Sequence, residues 1–158
     1  MPETFSILQA YMSSMYQSTT ETGRVGEELA AEFLIQSGGR LVLANFMVPV
    51  GRNSKGVQVS GEIDLVAFDG DTLCFIEVKT RRSGGFGGPL SAVDLRKQRQ
   101  IIRTARIYRN IFRIRHIKYR FDVLTVLLGM NDEAEVEWVK GYWNEAKFRK
   151  KVWGGDIF

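Results

Sequence analysis

The stretch Gly61-Glu-Ile-Asp-Leu-Val-Ala-Phe-Asp-Gly-Asp-Thr-Leu-Cys-Phe-Ile-Glu-Val-Lys-Thr80 reads as two β-strands joined by a turn. Apolar residues alternate on either side of Asp69-Gly70-Asp71, with Val, Ile and Phe throughout, which is a hairpin pattern. A two-residue Gly70-Asp71 turn sets Asp64 directly opposite Glu77, and an Asp69-Gly70 turn sets them diagonally. Either register puts both carboxylates on one face, because side chains alternate with a period of two. One face is expected to carry Ile63, Leu65, Ala67, Cys74, Ile76 and Val78; the other carries Val66, Phe68, Leu73 and Phe75 near the turn and Glu62, Asp64, Glu77 and Lys79 at the far end.

Charges on a strand commonly form a solvated face of cross-strand ion pairs, but this group bears a repulsion. Two like charges about 5 Å apart repel by roughly 3 kcal/mol at an effective dielectric of 20, and opposed like charges destabilise a sheet. Lys79 offsets part of that cost, and a divalent cation would turn the repulsion into attraction. Magnesium prefers oxygen ligands and is commonly held by one or two carboxylates plus a phosphate. It would polarise a phosphoryl oxygen and acidify a bound water, while Lys79 orients the attacking water or stabilises the transition-state charge. That set of parts suits phosphodiester hydrolysis.

Parts for other chemistries are absent. One cysteine and one histidine exclude the usual structural zinc site, and no Gly-x-Ser-x-Gly elbow accompanies His116. His116 is expected at a helix end, exposed or facing phosphate, and Cys74 reads as a small core residue. The run Gly84-Gly85-Phe86-Gly87-Gly88 lacks the Lys-Ser/Thr of a P-loop; it reads as a plain connector or as a loop that grips substrate backbone.

The chain has 158 residues, a net charge of +4, 44% hydrophobic and 25% charged residues, which suits one soluble domain with its own core. The expected division is a tail or accessory helix over residues 1–20, where Phe5, Leu8, Met12 and Met15 are turn-spaced, and a single domain over 21–158. No apolar run is long enough to span a membrane. The N-terminus lacks a basic n-region and a small-residue cleavage site, and a lone cysteine suits a reducing compartment, so the cytoplasm is expected.

Charge is unevenly spread. Ten Lys or Arg residues lie between Asp94 and Arg120, and only Asp94 opposes them. On a helix capped by Asp94, Arg96, Arg99, Arg103 and Arg106 form one stripe, while Ile101, Ile102, Ala105, Tyr108 and Phe112 fall largely opposite. Solvated helix faces generally mix both signs, so the stripe reads as a footprint for a phosphate backbone. Gln98 shares the inward face with Ile102 and Ala105 and therefore needs a partner, either a neighbouring loop or the scissile phosphate and its metal-bound water.

Elsewhere, Val25–Ser37 reads as a helix closed by Gly38-Gly39, with Glu27 and Glu28 in its first turn, where the dipole favours carboxylates. Arg40–Val48 reads as a strand and Pro49–Ser60 as a loop excursion. Tyr119–Leu128 is expected to be a central strand, Glu135–Lys140 an edge strand, and Asn144–Lys151 a closing helix. Trp138, Tyr142, Trp143, Phe148 and Trp153 read as core or subunit contacts. The order points to an α/β sandwich around a mixed sheet.

Gly26-Glu27, Gly61-Glu62-Ile63-Asp64, Glu77-Val78-Lys79-Thr80-Arg81, Phe86-Gly87 with Ala92-Val93, Lys97-Gln98-Arg99 and Arg120-Phe121-Asp122-Val123 follow one another along the chain. The series resembles the YraN-like bacterial family, which in turn resembles the PD-(D/E)xK nuclease superfamily near the archaeal Holliday-junction resolvases. The resemblance implies a restriction-endonuclease-like α/β sandwich, a central mixed β-sheet flanked by helices. It implies that Glu27, Asp64 and Glu77 bind Mg2+ (or Mn2+ in its place), that Lys79 is the catalytic lysine, and that Gln98 stands near the active site. Arg81 and Arg82 would join Arg96, Arg99, Arg103 and Arg106 in holding nucleic acid, and Asp122 would pair with an arginine. The expected function is a metal-dependent endonuclease acting on DNA, branched or duplex, with a homodimer needed to cut two strands in register. The alternatives are a non-catalytic nucleic-acid-binding module and an interaction scaffold whose basic helix meets an acidic partner.

Overall fold

The computed structural model describes residues 21–83, 93–131 and 133–149. The expected N-terminal tail, the glycine run 84–88 with Ala92, and the C-terminal stretch from residue 150, Trp153 included, lie outside the described residues. The chain runs α1 (Glu21–Gln36), β1 (Arg40–Arg52), β2 (Gln58–Asp69), β3 (Thr72–Arg82), α2 (Leu95–Ile111), β4 (Tyr119–Leu128), β5 (Ala134–Trp143) and a 3₁₀ turn (Glu145–Phe148). The strands form one sheet in the order β1-β2-β3-β4-β5. Among the described strands only β3 and β4 are parallel, because α2 provides the crossover a parallel pair requires.

The helices cover opposite faces. Ala30, Ala31 and Leu34 of α1 pack on Leu65, Ala67, Cys74, Ile76, Leu124 and Val126. Ile101, Ile102, Ala105 and Tyr108 of α2 pack on Ile63, Val66, Leu73, Phe75, Phe121 and Val123. This is a restriction-endonuclease-like α/β sandwich, with β3 and β4 buried on both sides. Among the described residues no helix is long and apolar enough to cross a membrane.

Helix ends follow local chemistry. Asp94 Oδ1 accepts from the Lys97 N–H at 2.8 Å, capping α2 as expected. α1 closes with a Schellman pair, Gly39 N–H to Leu34 O at 2.9 Å and Gly38 N–H to Ile35 O at 3.1 Å, with Gly38 at φ +91°. The α1 helix reaches back to Glu21, so Glu27 lies in its second turn rather than its first. The dipole acts mainly within the terminal turn and does not account for a carboxylate there.

Three further expectations are revised. Pro49–Ser60 is largely not a loop: β1 and β2 stay paired out to Arg52↔Gln58, and only the Asn53–Val57 tip turns. Its glycines shape an arm instead of ending a strand, Gly51 in the register shift at φ +141° and Gly56 in the tip at φ +75°. Ile63 packs beneath α2 with Val66, not with Leu65, so the alternation of β2 breaks at Asp64. The adjoining β1 is irregular there too, with Asn45 at φ +52°. The closing helix is a four-residue 3₁₀ turn capped by Asn144.

β4 lies inside the sheet, and β5 forms its edge. Asp122, fully buried, accepts from Arg120 Nε, Trp138 Nε1 and the Gly141 N–H. Trp143 stacks on Phe121, with centroids 5.2 Å apart. Cys74 is buried, with its thiol pushed up to about 12 by desolvation and then by Asp122. His116 is exposed in the α2–β4 connection.

Candidate active site and basic groove

The hairpin turn is Gly70-Asp71, with Asp69 paired to Thr72 and Gly70 at φ +61°. That register projects Asp64 opposite Glu77, but pairing stops at Leu65↔Ile76. A buried backbone donor freed there needs an acceptor. Asp64 supplies it: Oδ2 accepts from the Val78 N–H at 2.7 Å. The carboxylate is thereby fixed at the point where the two strands part.

Two glycines bring helices to this point. A Cβ on Gly26 would overlap the Thr80 side chain, so α1 can lie against β3 only with glycine here, one residue before Glu27. A Cβ on Gly61 would overlap Thr104 Oγ1, which brings α2 equally close to β2. Glu27, Asp64 and Glu77 are all buried, at 8%, 8% and 4% exposure.

Lysines answer this charge. Lys79 Nζ stands 3.2 Å from Glu77 Oε1, with its side chain one-third exposed. Lys97, from the first turn of α2, places Nζ 3.5 Å from Glu77 Oε2, close enough for an ion pair. No hydrogen bond reaches Glu77 Oε2 or Glu27 Oε2, although both are buried. Burial, followed by repulsion from Glu62, Glu77 and Glu28, raises the Glu27 carboxyl to about 7, against a smaller pull from Lys97. Asp64 is held well above the ordinary carboxylate range, first by burial and then by Glu77, despite the Val78 bond. Burial opposes charge on Lys97, but attraction to Glu77, Asp64 and Glu62 outweighs it and raises its pKa.

Among the described residues, no three His, Cys, Asp or Glu side chains converge closely enough to share one ion. The donor chemistry nonetheless fits a hard divalent cation. Buried carboxylates are held together against mutual repulsion, with Glu27 Oε2 accepting no hydrogen bond, and one or two carboxylates suffice for magnesium when phosphate supplies the rest.

Gln98, 4% exposed, donates through Nε2 to Val93 O at 2.7 Å and leaves Oε1 without a partner. Its amide therefore secures the segment entering α2, one of the two roles the sequence left open. Lys97 was missed as a site residue. The sequence places it in a basic run and in the Lys97-Gln98-Arg99 motif, and nothing local shows that the first turn of α2 abuts the end of β3.

Beside the cluster lies an open groove of about 530 Å³ between the β1–β2 arm and α2. Arg96, Lys97, Arg99 and Arg103 line it from the helix, and Arg52 lines it from the arm. Arg106 does not: it donates to Glu145 Oε1 at 2.7 Å and ties α2 to the C-terminal turn. Arg82 donates from Nε and Nη2 to Thr22 Oγ1, joining β3 to the start of α1, while Arg81 is half-buried in β3. Of the six arginines read as nucleic-acid contacts, Arg96, Arg99 and Arg103 thus share one groove.

Residues 26–126 match the profile of the uncharacterised protein family UPF0102. A UPF0102 protein of Chlorobium limicola is 39% identical over 129 residues, covering 78% of this chain and 92% of its own. One from Chlorobium chlorochromatii is 42% identical over 75% of this chain and 84% of its own, and one from Solibacter usitatus 39% identical over 75% and 83%. The crystal structure of SSO0001 aligns over 92% of this chain and 60% of its own at a TM-score of 0.33 and 16% identity, too remote to bear on fold or function.

Proposed function

The chain belongs to the UPF0102 family, the YraN-like proteins, and on that premise we propose that it is a metal-dependent endonuclease hydrolysing DNA phosphodiester bonds, with branched or otherwise structured DNA as its substrate. The observation that carries this reading is the burial of Glu27, Asp64 and Glu77 around one strand end with Lys79 at its open side. A scaffold role gives no return for that repulsion; phosphoryl transfer does.

Asp64 and Glu77 would hold Mg2+, or Mn2+ in its place, with Glu27 as a further acidic neighbour. Bound there, the ion would polarise a phosphoryl oxygen and lower the pKa of a water. The chain's own groups supply the rest. The Val78 N–H fixes the Asp64 carboxylate, so its free oxygen needs no reorganisation on binding. Lys79 Nζ is poised to donate to the scissile phosphate or to orient the attacking water, exchanging its ion pair with Glu77 for the developing charge. Arg96, Arg99 and Arg103 hold flanking phosphates.

A second reading, a nucleic-acid-binding module without turnover, is favoured by one observation: Lys97 and Lys79 both already neutralise Glu77, and among the described residues no group of three acids converges on one ion. Incubating the protein with four-way-junction, flap, duplex and single-stranded DNA separates the two. Cleavage with Mg2+ or Mn2+, lost in EDTA, in Asp64→Asn and in Lys79→Ala while binding persists, is the expected result. Cleavage retained in either variant overturns the assignment, and binding without cleavage under every condition supports the module.

A further inference from the structure

We propose that the groove between the β1–β2 arm and α2 is a channel for one strand of nucleic acid, so that the substrate carries a single-stranded segment next to the bond presented to Asp64, Glu77 and Lys79. The cleavage half of this statement rests on the nuclease reading above; the binding half does not.

The groove is charged on both walls. Arg52 comes from the arm, and Arg96, Lys97, Arg99 and Arg103 come from the helix. The carboxylate that lines it, Asp94, is engaged in capping α2, so the net field favours a polyanion. Among the described residues the lining holds no aromatic ring and only Val50 and Val59 as apolar residues. Phosphates are therefore what these described walls can read.

Size selects the form of that polyanion. A volume of about 530 Å³ lies within the roughly 300–1,000 Å³ typical of clefts for single small molecules. A space of that size takes a short run of one strand. The walls are also fastened to each other: Gln100 Nε2 donates to Ser60 O at 2.8 Å, and Gly61 lies against Thr104. Widening the groove to admit a duplex would break that bond and that packing.

Position completes the case. Lys97 lines the groove and also stands 3.5 Å from Glu77 Oε2. A strand lying along the arginines would meet this ammonium beside the acidic cluster, so the same path that binds the strand delivers it to the site.

The test is fluorescence anisotropy in EDTA, where no metal-dependent cleavage intervenes, with labelled single-stranded DNA, blunt duplex and duplex bearing a single-stranded tail. Single-stranded and tailed DNA are expected to bind about tenfold or more tightly than blunt duplex. Arg52→Ala and Arg103→Ala, on opposite walls, should each weaken tail binding about tenfold and lower the salt-dependence exponent by about 0.7 for the lost phosphate contact. Because Arg52 Nη1 also bonds Gly56 O within the arm, the exposed helix residue Arg103 keeps the test valid if the tip loosens. Equal affinity for blunt and tailed duplex, or tail binding unchanged in both variants, overturns the channel. Tail preference with no cleavage of any DNA in Mg2+ refutes the nuclease reading and leaves the channel; cleavage of blunt duplex with no tail preference does the reverse.

Discussion

Glu27→Gln should stabilise this protein above pH 7 in the absence of divalent cations and leave it unchanged below pH 4.5. The carboxyl is raised from an ordinary 4.5 to about 7 by burial and by Glu62, Glu77 and Glu28. The folded chain therefore holds a proton that the unfolded chain releases between those two values, and stability falls as pH rises through that window. No penalty exists below 4.5, and the whole penalty is present above 7. The interval of about 2.5 pH units, 7 minus 4.5, corresponds to about 3 kcal/mol at about 1.4 kcal/mol per unit. The cluster opens to water at Lys79, whose side chain is 35% exposed, and solvent screening reduces the figure to about 2 kcal/mol. Glutamine keeps the shape and removes the charge. Urea unfolding in EDTA at pH 5 and pH 8 should show wild type losing stability at the higher pH and the variant losing less; Asp64, also raised, leaves a residual slope. A gain of this size is worth about 5 °C in Tm for a domain of this length. Magnesium should stabilise wild type at pH 8 more than it stabilises the variant. A flat wild-type profile between pH 5 and 8, or a variant less stable than wild type at pH 8, would refute the claim that Glu27 is a strained buried acid.

Gly26→Ala should lower stability by about 1–3 kcal/mol through overlap with Thr80, although alanine's helix propensity alone would add about 1 kcal/mol; a rise in the urea midpoint contradicts the close docking of α1. Asp122→Ala leaves the Trp138 indole N–H and the Gly141 N–H without an acceptor and Arg120 with Asp69 alone, and should cost about 2–3 kcal/mol in chemical denaturation, so a loss below about 1 kcal/mol would count against that network. Arg106→Ala breaks a pair whose arginine is 58% exposed; it should cost less than about 1 kcal/mol and weaken DNA binding less than Arg103→Ala in parallel titrations.

Much of this architecture is legible locally. Period-two alternation with Gly70-Asp71 between its halves specifies the hairpin, because a one-residue slip would turn every core side chain outward. The apolar run Tyr119–Leu128 coincides with β4, and Asp94 and Gly38 mark helix ends through their own side-chain and backbone chemistry. Asp64, Glu77 and Lys79 are recognisable together because they lie on two strands joined by a two-residue turn.

Other features depend on contacts between elements distant in sequence. Glycine and asparagine at 51, 53 and 56 carry the local signature of a loop, yet pairing between β1 and β2 extends almost to the tip and makes an arm of them. Ile63 leaves its expected face because β2 loses its alternation where β3 diverges and Asp64 takes over a ladder donor. Arg106 looks equivalent to Arg103 along the helix stripe, but Glu145, thirty-nine residues on, claims one and not the other.

Lys97 marks the boundary most plainly. Its place in the first turn of a capped, basic helix follows from residues within a few positions of it. Its role as counter-ion to Glu77 follows from the β3–α2–β4 crossover, which returns the start of α2 to the end of β3 across the sheet. Periodicity and capping are short-range, and so the sequence by itself determined most of the elements, most of their faces and the hairpin carboxylates Asp64 and Glu77. Burial, charge compensation and the groove arise where those elements meet, and only the tertiary structure decided them.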